Sequence, residues 1–396
     1  MNFTFTGKHR TTFLVMILIG IISIISTFML HPHQAWSNLL WNNFFFMGIA
    51  LVMVFFIAVQ YVAEVGWSVV VLRIPEAMSQ WLFVAMPIMI VIVIVGMMGG
   101  NHLYHWMDDS LYVKGGEHYD KILAGKSGYL NKPFFLIRVL VYSAIWCGFA
   151  YLFRKQSLAE ETSGDIALHK NGIKYGAIFL VLFAVTSSMM SWDFVMSIDS
   201  HWFSTMFGWY TFAGIWVSGL TMIGLMTVYL KRKNLMAAVT SHHVHDIGKF
   251  MFAFSVFWTY LWVAQYMLIW YSNLPEEIVY FRTRLDHYRW TFWIAFFLNF
   301  IIPFLVLMTR DAKRQFNILF FGGIVILCGH WLDSFNMIIP GTLTAHGNHW
   351  QLSWMEVGTT IGFLGGFLYV TFRSLAKAPL LRTKHPLMME SVQHAI

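Results

Sequence analysis

Apolar runs of about twenty residues recur along the whole chain, each long enough to cross a hydrocarbon core roughly 30 Å thick. Such a run spans lipid as an α-helix, because its backbone N–H and C=O groups must all find partners within the segment. Apolar windows and their polar interruptions predict ten spans, at about 12–30, 44–72, 81–99, 133–153, 172–191, 207–230, 248–270, 290–309, 316–339 and 354–374. The expected fold class is therefore an all-α integral membrane protein. Composition agrees: 58% of the 396 residues are hydrophobic and 11% charged, against roughly 45–50% and 25% in a soluble domain. The expected organisation is a tail over 1–11, one membrane domain over 12–374 and a second tail over 375–396.

Lys8 and Arg10 precede an apolar run, as in a signal peptide. That run is longer than an h-region of about 7–15 residues and ends in Leu30-His31-Pro32-His33, so it reads as an uncleaved first span. Eighteen of the 26 Lys and Arg residues fall on the side carrying both ends of the chain, among them Lys231, Arg232, Lys233, Arg310, Arg382 and Lys384. Three opposite connections, 31–43, 192–206 and 340–353, hold none. The positive-inside rule then places both termini in the cytoplasm. Because the +7 charge is spread over short connections that set topology, nucleic acid is excluded as a partner and lipid is expected.

The outer connections are rich in tryptophan (Trp36, Trp41, Trp202, Trp209, Trp270, Trp290, Trp350, Trp354) and histidine (His31, His33, His102, His105, His118, His201, His287, His346, His349). An interfacial belt accounts for the indoles and solvated loops for most imidazoles. The longest connection, Asn101 to Lys132, mixes both charge signs and reads as a docking surface. Gly358, Gly362 and Gly366 give the last span a smooth face for helix packing. Cys147 and Cys328 read as small core residues. With two separated cysteines, the chain supplies neither the four thiolates of an iron–sulfur cluster nor a c-haem attachment motif. Only His330 lies clearly inside a span, which argues against paired haem ligation, and no Walker loop is present.

Ionisable groups inside a span are expensive, by roughly 2.5–3.5 kcal/mol on insertion scales, so they face the interior and pair or titrate. Glu64, read as lying inside the second span in its cytoplasmic half, is a candidate proton acceptor and donor, or a structural carboxyl. Arg138 either snorkels or meets an outer-half carboxylate. His330 and Asp333, three apart on one helical face, are either a proton-relay or quinol-contacting pair, or a His–Asp hydrogen bond holding a helix end. Asp193 and Asp199, with His201, flank the connection between spans five and six, where an aspartate also serves as a helix cap, as does Glu356 at the last span. Gln265 and Asn299 are expected to hydrogen-bond between helices.

The stretch from Ser191-Trp192-Asp193-Phe194 through Ile198-Asp199-Ser200-His201-Trp202 to Phe207-Gly208-Trp209-Tyr210 resembles the loop between spans five and six of the NrfD-like (polysulfide reductase membrane-subunit) family found in alternative complex III. The ten-span layout and cytoplasmic termini fit that family along essentially the whole chain. The resemblance implies two four-helix bundles, spans 2–5 and 6–9, with the first and last spans peripheral. It implies a quinol:cytochrome c (or oxidase) oxidoreductase complex in a bacterial cytoplasmic membrane. Partners would be a second NrfD-like subunit, an iron–sulfur subunit, c-type cytochromes and a terminal oxidase. Iron–sulfur and haem c are then expected on the partners, and no cofactor on this chain. Ile198-Asp199-Ser200 stands where the quinol-oxidising relative usually has Leu-Glu-Pro, so a quinol site is not carried over.

The leading expectation is a scaffolding subunit whose interior groups form two proton half-channels, Glu64 on the cytoplasmic side and Asp193, Asp199, His201, His330 and Asp333 on the outer side. A second reading is the quinol-binding catalytic subunit itself, with His201 or His330 taking the quinol proton. A third is an independent proton-coupled transporter, for which broken helices near the midplane are expected; Pro87 and Pro303 are the prolines inside the spans as read.

Overall fold

The computed structural model describes residues 3–344 and 353–395; His346, His349 and Trp350 lie outside the described residues. Ten of its helices are long and apolar enough to cross a membrane: α1 (Gly7–Leu30), α2 (Pro32–Val62), α3 (Arg73–Met97), α4 (Lys132–Ser163), α5 (Ile166–Phe194), α6 (Phe207–Arg232), α7 (Ser241–Ser272), α8 (Arg289–Leu307), α9 (Phe316–Thr344) and α10 (Trp354–Leu375). The protein is an all-α, multi-pass membrane protein. Helices α2–α5 pack as one four-helix bundle and α6–α9 as a second, joined where α2 lies against α6 and α9. Helices α1 and α10 pair with each other and lean on α2 and α3 from outside.

Between helices in lipid there is little hydrophobic drive, so close approach rests on small residues. At the α1–α10 crossing Gly362 and Gly20 are in backbone contact, Gly358 receives Ser23 and Gly365 receives Met16. The third glycine of the expected stripe, Gly366, turns instead toward Trp81, because four-residue steps drift around a 3.6-residue helix.

The largest departure from the hydropathy reading is α2. It starts at Pro32, leaving His31 alone as the link from α1, and ends at Val62 rather than 72. Asn38, Asn42 and Asn43 look like loop to a hydropathy window, yet all three are buried. Asn38 donates to Glu356 (2.8 Å), Asn42 to the Asn38 carbonyl (3.0 Å) and Asn43 to the Ala85 carbonyl (3.1 Å), so each amide NH₂ group finds an acceptor inside the protein. Proline at the first helical turn, where no N–H partner is needed, fixes the start. Elsewhere α4 runs on to Ser163 and α5 begins at Ile166, extending both past the expected bilayer boundary, and α9 passes through Pro340.

Trp209, Trp270, Trp290 and Trp354 are exposed, as a belt requires, whereas Trp41 and Trp202 are buried. Trp41 donates to Ser334 (3.0 Å) and Trp202 stacks on Tyr280 (4.0 Å between centroids), so both join the packing. Cys328, expected in the core, is exposed and lines an apolar groove between α10 and the second bundle.

Candidate functional site

The polar groups of the second bundle converge on Asp333. Asp333 and His330 lie one turn apart on α9, 1% and 3% exposed. Asp333 accepts the Tyr210 hydroxyl of α6 in a short hydrogen bond and the Trp258 indole N–H of α7 at 3.2 Å. His330 does not bond to Asp333; its ring stands perpendicular to Trp258, 5.2 Å between centroids, and neither nitrogen has a hydrogen-bond partner among the described residues. Gly214, four residues past Tyr210, leaves both groups accessible: a side chain there would begin 3.6 Å from Asp333 Oδ2 and from His330 Nδ1.

Next to this pair α8 carries a π-helical turn, Phe297–Ile301. Pro303 has no N–H for the Asn299 carbonyl four residues back, and the helix accommodates the missing bond by widening. The wide turn sets Asn299 against Gly329, fully buried, with neither amide atom partnered. Gln265 Nε2, Ser255 Oγ and Thr221 Oγ1 are likewise buried without partners. The expected interhelical bonds of Asn299 and of the Gln265 amide nitrogen are therefore not made; these groups line the bundle interior. Unpaired polar atoms each cost about 1–3 kcal/mol, so bound water is expected at these buried groups.

A cavity of about 20 Å³, enough for roughly one water, lies beside Asp333 and is lined by Tyr210, Gln265, Tyr280, Arg284 and Asn336. Arg284, on the short helix Pro275–His287, is 1% exposed and bonds to Asp199 at 3.1 Å. It also donates to the carbonyls of Tyr280, Asn336 and Met337, at 2.9, 3.0 and 3.2 Å. Burial, against the pull of Arg284, pushes the Tyr280 phenol up to about 12, so it stays a donor. The Asp199 carboxyl, 28% exposed, completes a polar line from the surface through Arg284 and the cavity to Asp333.

The other outer-side candidates stand apart from this line. Asp193 closes a buried pair in the first bundle: Arg138 is bidentate on it at 2.8 and 2.9 Å, and Tyr142 donates at 2.6 Å. Arg138 thus meets a carboxylate rather than snorkelling, and its guanidinium also lies 4.0 Å from the Tyr129 ring centre. His201 bonds Asp120 at 2.5 Å on the surface, tying the 101–132 connection to the α5–α6 loop. Against its partial burial, the Leu123 N–H and the His201 ring hold the Asp120 carboxyl below its ordinary range. Glu356 caps α10 in a capping box and receives Gln34 and Asn38.

Glu64 lies outside the membrane-spanning segment. It is exposed, just past the end of α2, with φ of 47° in the left-handed region that closes helix C-termini. Burial was the premise of its proton role, and the early end of α2 removes it. The buried charges at that end come from a cluster that sequence spacing does not reveal. Glu76 accepts from Arg73 (2.8 Å), Arg154 (2.9 Å) and Ser157 (2.6 Å), and Arg382 of the C-terminal tail reaches Glu76 (3.5 Å), Glu160 and Tyr61. Its members come from α2, α3, α4 and the tail, so no local motif could have announced it. A basic residue near the tail's docking site, Arg382, was the available signal.

No model of a known protein family and no curated protein sequence matches this chain.

Proposed function

We propose that this chain is a membrane subunit of a quinol:cytochrome c (or oxidase) oxidoreductase complex, NrfD-like and of the ActF type in alternative complex III. In this reading it sits in a bacterial cytoplasmic membrane with both termini in the cytoplasm, scaffolds the redox partners and carries protons. The observation that carries the proton role is the line Asp199–Arg284–cavity–Asp333, with His330 one turn away and unpaired Asn299, Ser255 and Thr221 elsewhere in the second bundle. Support for the complex comes from the 191–210 stretch and from the two-bundle architecture with a peripheral helix pair. Quinol oxidation outside this chain would release protons near Asp199. The coupling link is a change in field or packing transmitted to Asp333, a carboxyl held by two donors from two different helices.

The cavity beside Asp333 weighs against a quinol bound there. At about 20 Å³ it is more than tenfold below the roughly 300–1,000 Å³ of a small-molecule site. Proton transfer through a bound water fits that volume.

The test is mild-detergent purification of the tagged chain from its native membrane. Co-elution with c-haem absorbance, iron–sulfur protein and quinol:cytochrome c activity is expected; a monodisperse chain free of redox partners would overturn the assignment.

A further inference from the structure

At the end of the molecule that carries the tails, three metal-binding side chains converge: Glu160 of α4, His169 of α5 and His385 of the C-terminal tail. All are more than nine-tenths buried, and one ligand atom from each lies within 4.8 Å of the others. Glu160 Oε2 is taken by Arg382 and Tyr61, which leaves Oε1 facing His169 Nδ1 at 3.8 Å. Neither of those two atoms has a hydrogen-bond partner among the described residues. The two imidazoles stand perpendicular, 4.9 Å between centroids, with the Tyr61 ring beside both.

Two buried, unpaired ligand atoms 3.8 Å apart beside a third ligand call for a shared partner, with a water as the fourth ligand of a tetrahedral ion. We propose that Glu160, His169 and His385 bind a divalent first-row transition cation, with Zn²⁺ the best match. Two nitrogens and one carboxylate oxygen suit a borderline ion better than the all-oxygen shells of Ca²⁺ or Mg²⁺. Tetrahedral zinc with ligands at ~2.0–2.2 Å holds its donor atoms closer than 3.8 Å, so binding draws the trio inward. His385 sits on the tail beyond α10, outside the bundle helices that hold Glu160 and His169. His385 Nδ1 accepts the Leu387 N–H at 3.2 Å, which leaves Nε2 as its ligand atom. Arg382 on the far carboxylate oxygen is the outer partner that orients a ligating Glu. Around the site Arg73, Arg154 and Arg382 balance Glu76, Glu160 and Glu161. No surplus negative charge attracts just any cation, and selection rests on the neutral nitrogens. The bound ion would clip the tail onto α4 and α5. This inference stands independently of the respiratory assignment.

The experiment is titration of EDTA-stripped, detergent-purified full-length protein with Co²⁺, read by visible d–d absorption, and with Zn²⁺, read by metal content after gel filtration. One equivalent of tetrahedral Co²⁺ is expected, lost in His385→Gln and in His169→Gln. It should be retained in His245→Gln, a control in the separate group of histidines near the start of α7. Absence of saturable uptake, or full uptake in both site variants, would overturn the proposal. X-ray absorption on the zinc-loaded native chain needs no variant: a shell with two imidazoles supports it, and one without them refutes it.

Discussion

Removing the positive member of the Arg138–Asp193 pair separates a structural carboxylate from a proton carrier. Asp193 is fully buried and receives three donor contacts, two from Arg138 at 2.8 and 2.9 Å and one from Tyr142 at 2.6 Å. Arg138→Met leaves that carboxylate charged and dry with one donor, a change that costs about 3–5 kcal/mol, or two to four decades in the unfolding equilibrium. Asp193→Asn should be milder. The stranded guanidinium still lies over Tyr129 and Phe134, 4.0 and 4.4 Å from their centres, and desolvated cation–π contacts return about 2 kcal/mol. Replacing all three groups with apolar ones, Arg138→Met with Asp193→Leu and Tyr142→Phe, removes the uncompensated charge and should recover most of the loss. Equilibrium unfolding in mixed micelles, followed by tryptophan fluorescence, reads all of these. The reasoning is refuted if Arg138→Met costs under 1 kcal/mol, or if the triple variant is as unstable as the single one.

Substitutions at three further positions test the packing, a helix end and the buried tail contact. Gly362→Val places a branched side chain against the Gly20 backbone, so α1 should be pried from α10 at a cost of about 1–3 kcal/mol, detectable as faster proteolysis of the N-terminal segment. Glu64→Gly relieves a left-handed residue worth roughly 1–2 kcal/mol against a glycine entropy cost of about 0.5–1 kcal/mol, so thermal stability should not fall, and Glu64→Gln should leave proton release unchanged. Arg382→Met strips buried Glu160 of its guanidinium and should release the tail, read as new protease cleavage after α10.

Hydropathy located all ten spans because a lipid-spanning helix must be both long and apolar. It misjudged α2 because the Asn38, Asn42 and Asn43 amides donate to Glu356 and to the Asn38 and Ala85 carbonyls inside the protein, which no window average registers. That error carried Glu64 into the membrane. The three-residue spacing of His330 and Asp333 correctly put them on one face, but not their partners: Tyr210 and Trp258 come from α6 and α7. Arg284 stayed hidden because its short helix is amphipathic and charged, and its link to Asp199 joins segments 85 residues apart. The Pro303-induced widening at Asn299 was legible in principle, since a proline four residues after Asn299 leaves the Asn299 carbonyl without its helical N–H donor.

The central claim is that protons pass through the second bundle at Asp333. Asp333→Asn keeps an acceptor oxygen for the Trp258 indole and turns an amide N–H toward the Tyr210 hydroxyl, which can accept it, but it cannot bind and release a proton at that site. The measurement is proton release per electron for the intact complex in sealed vesicles, driven by quinol, with native chain and with Asp333→Asn. The account expects electron transfer to continue while release above the scalar quinol protons disappears; an unchanged ratio at an unchanged electron rate would contradict it.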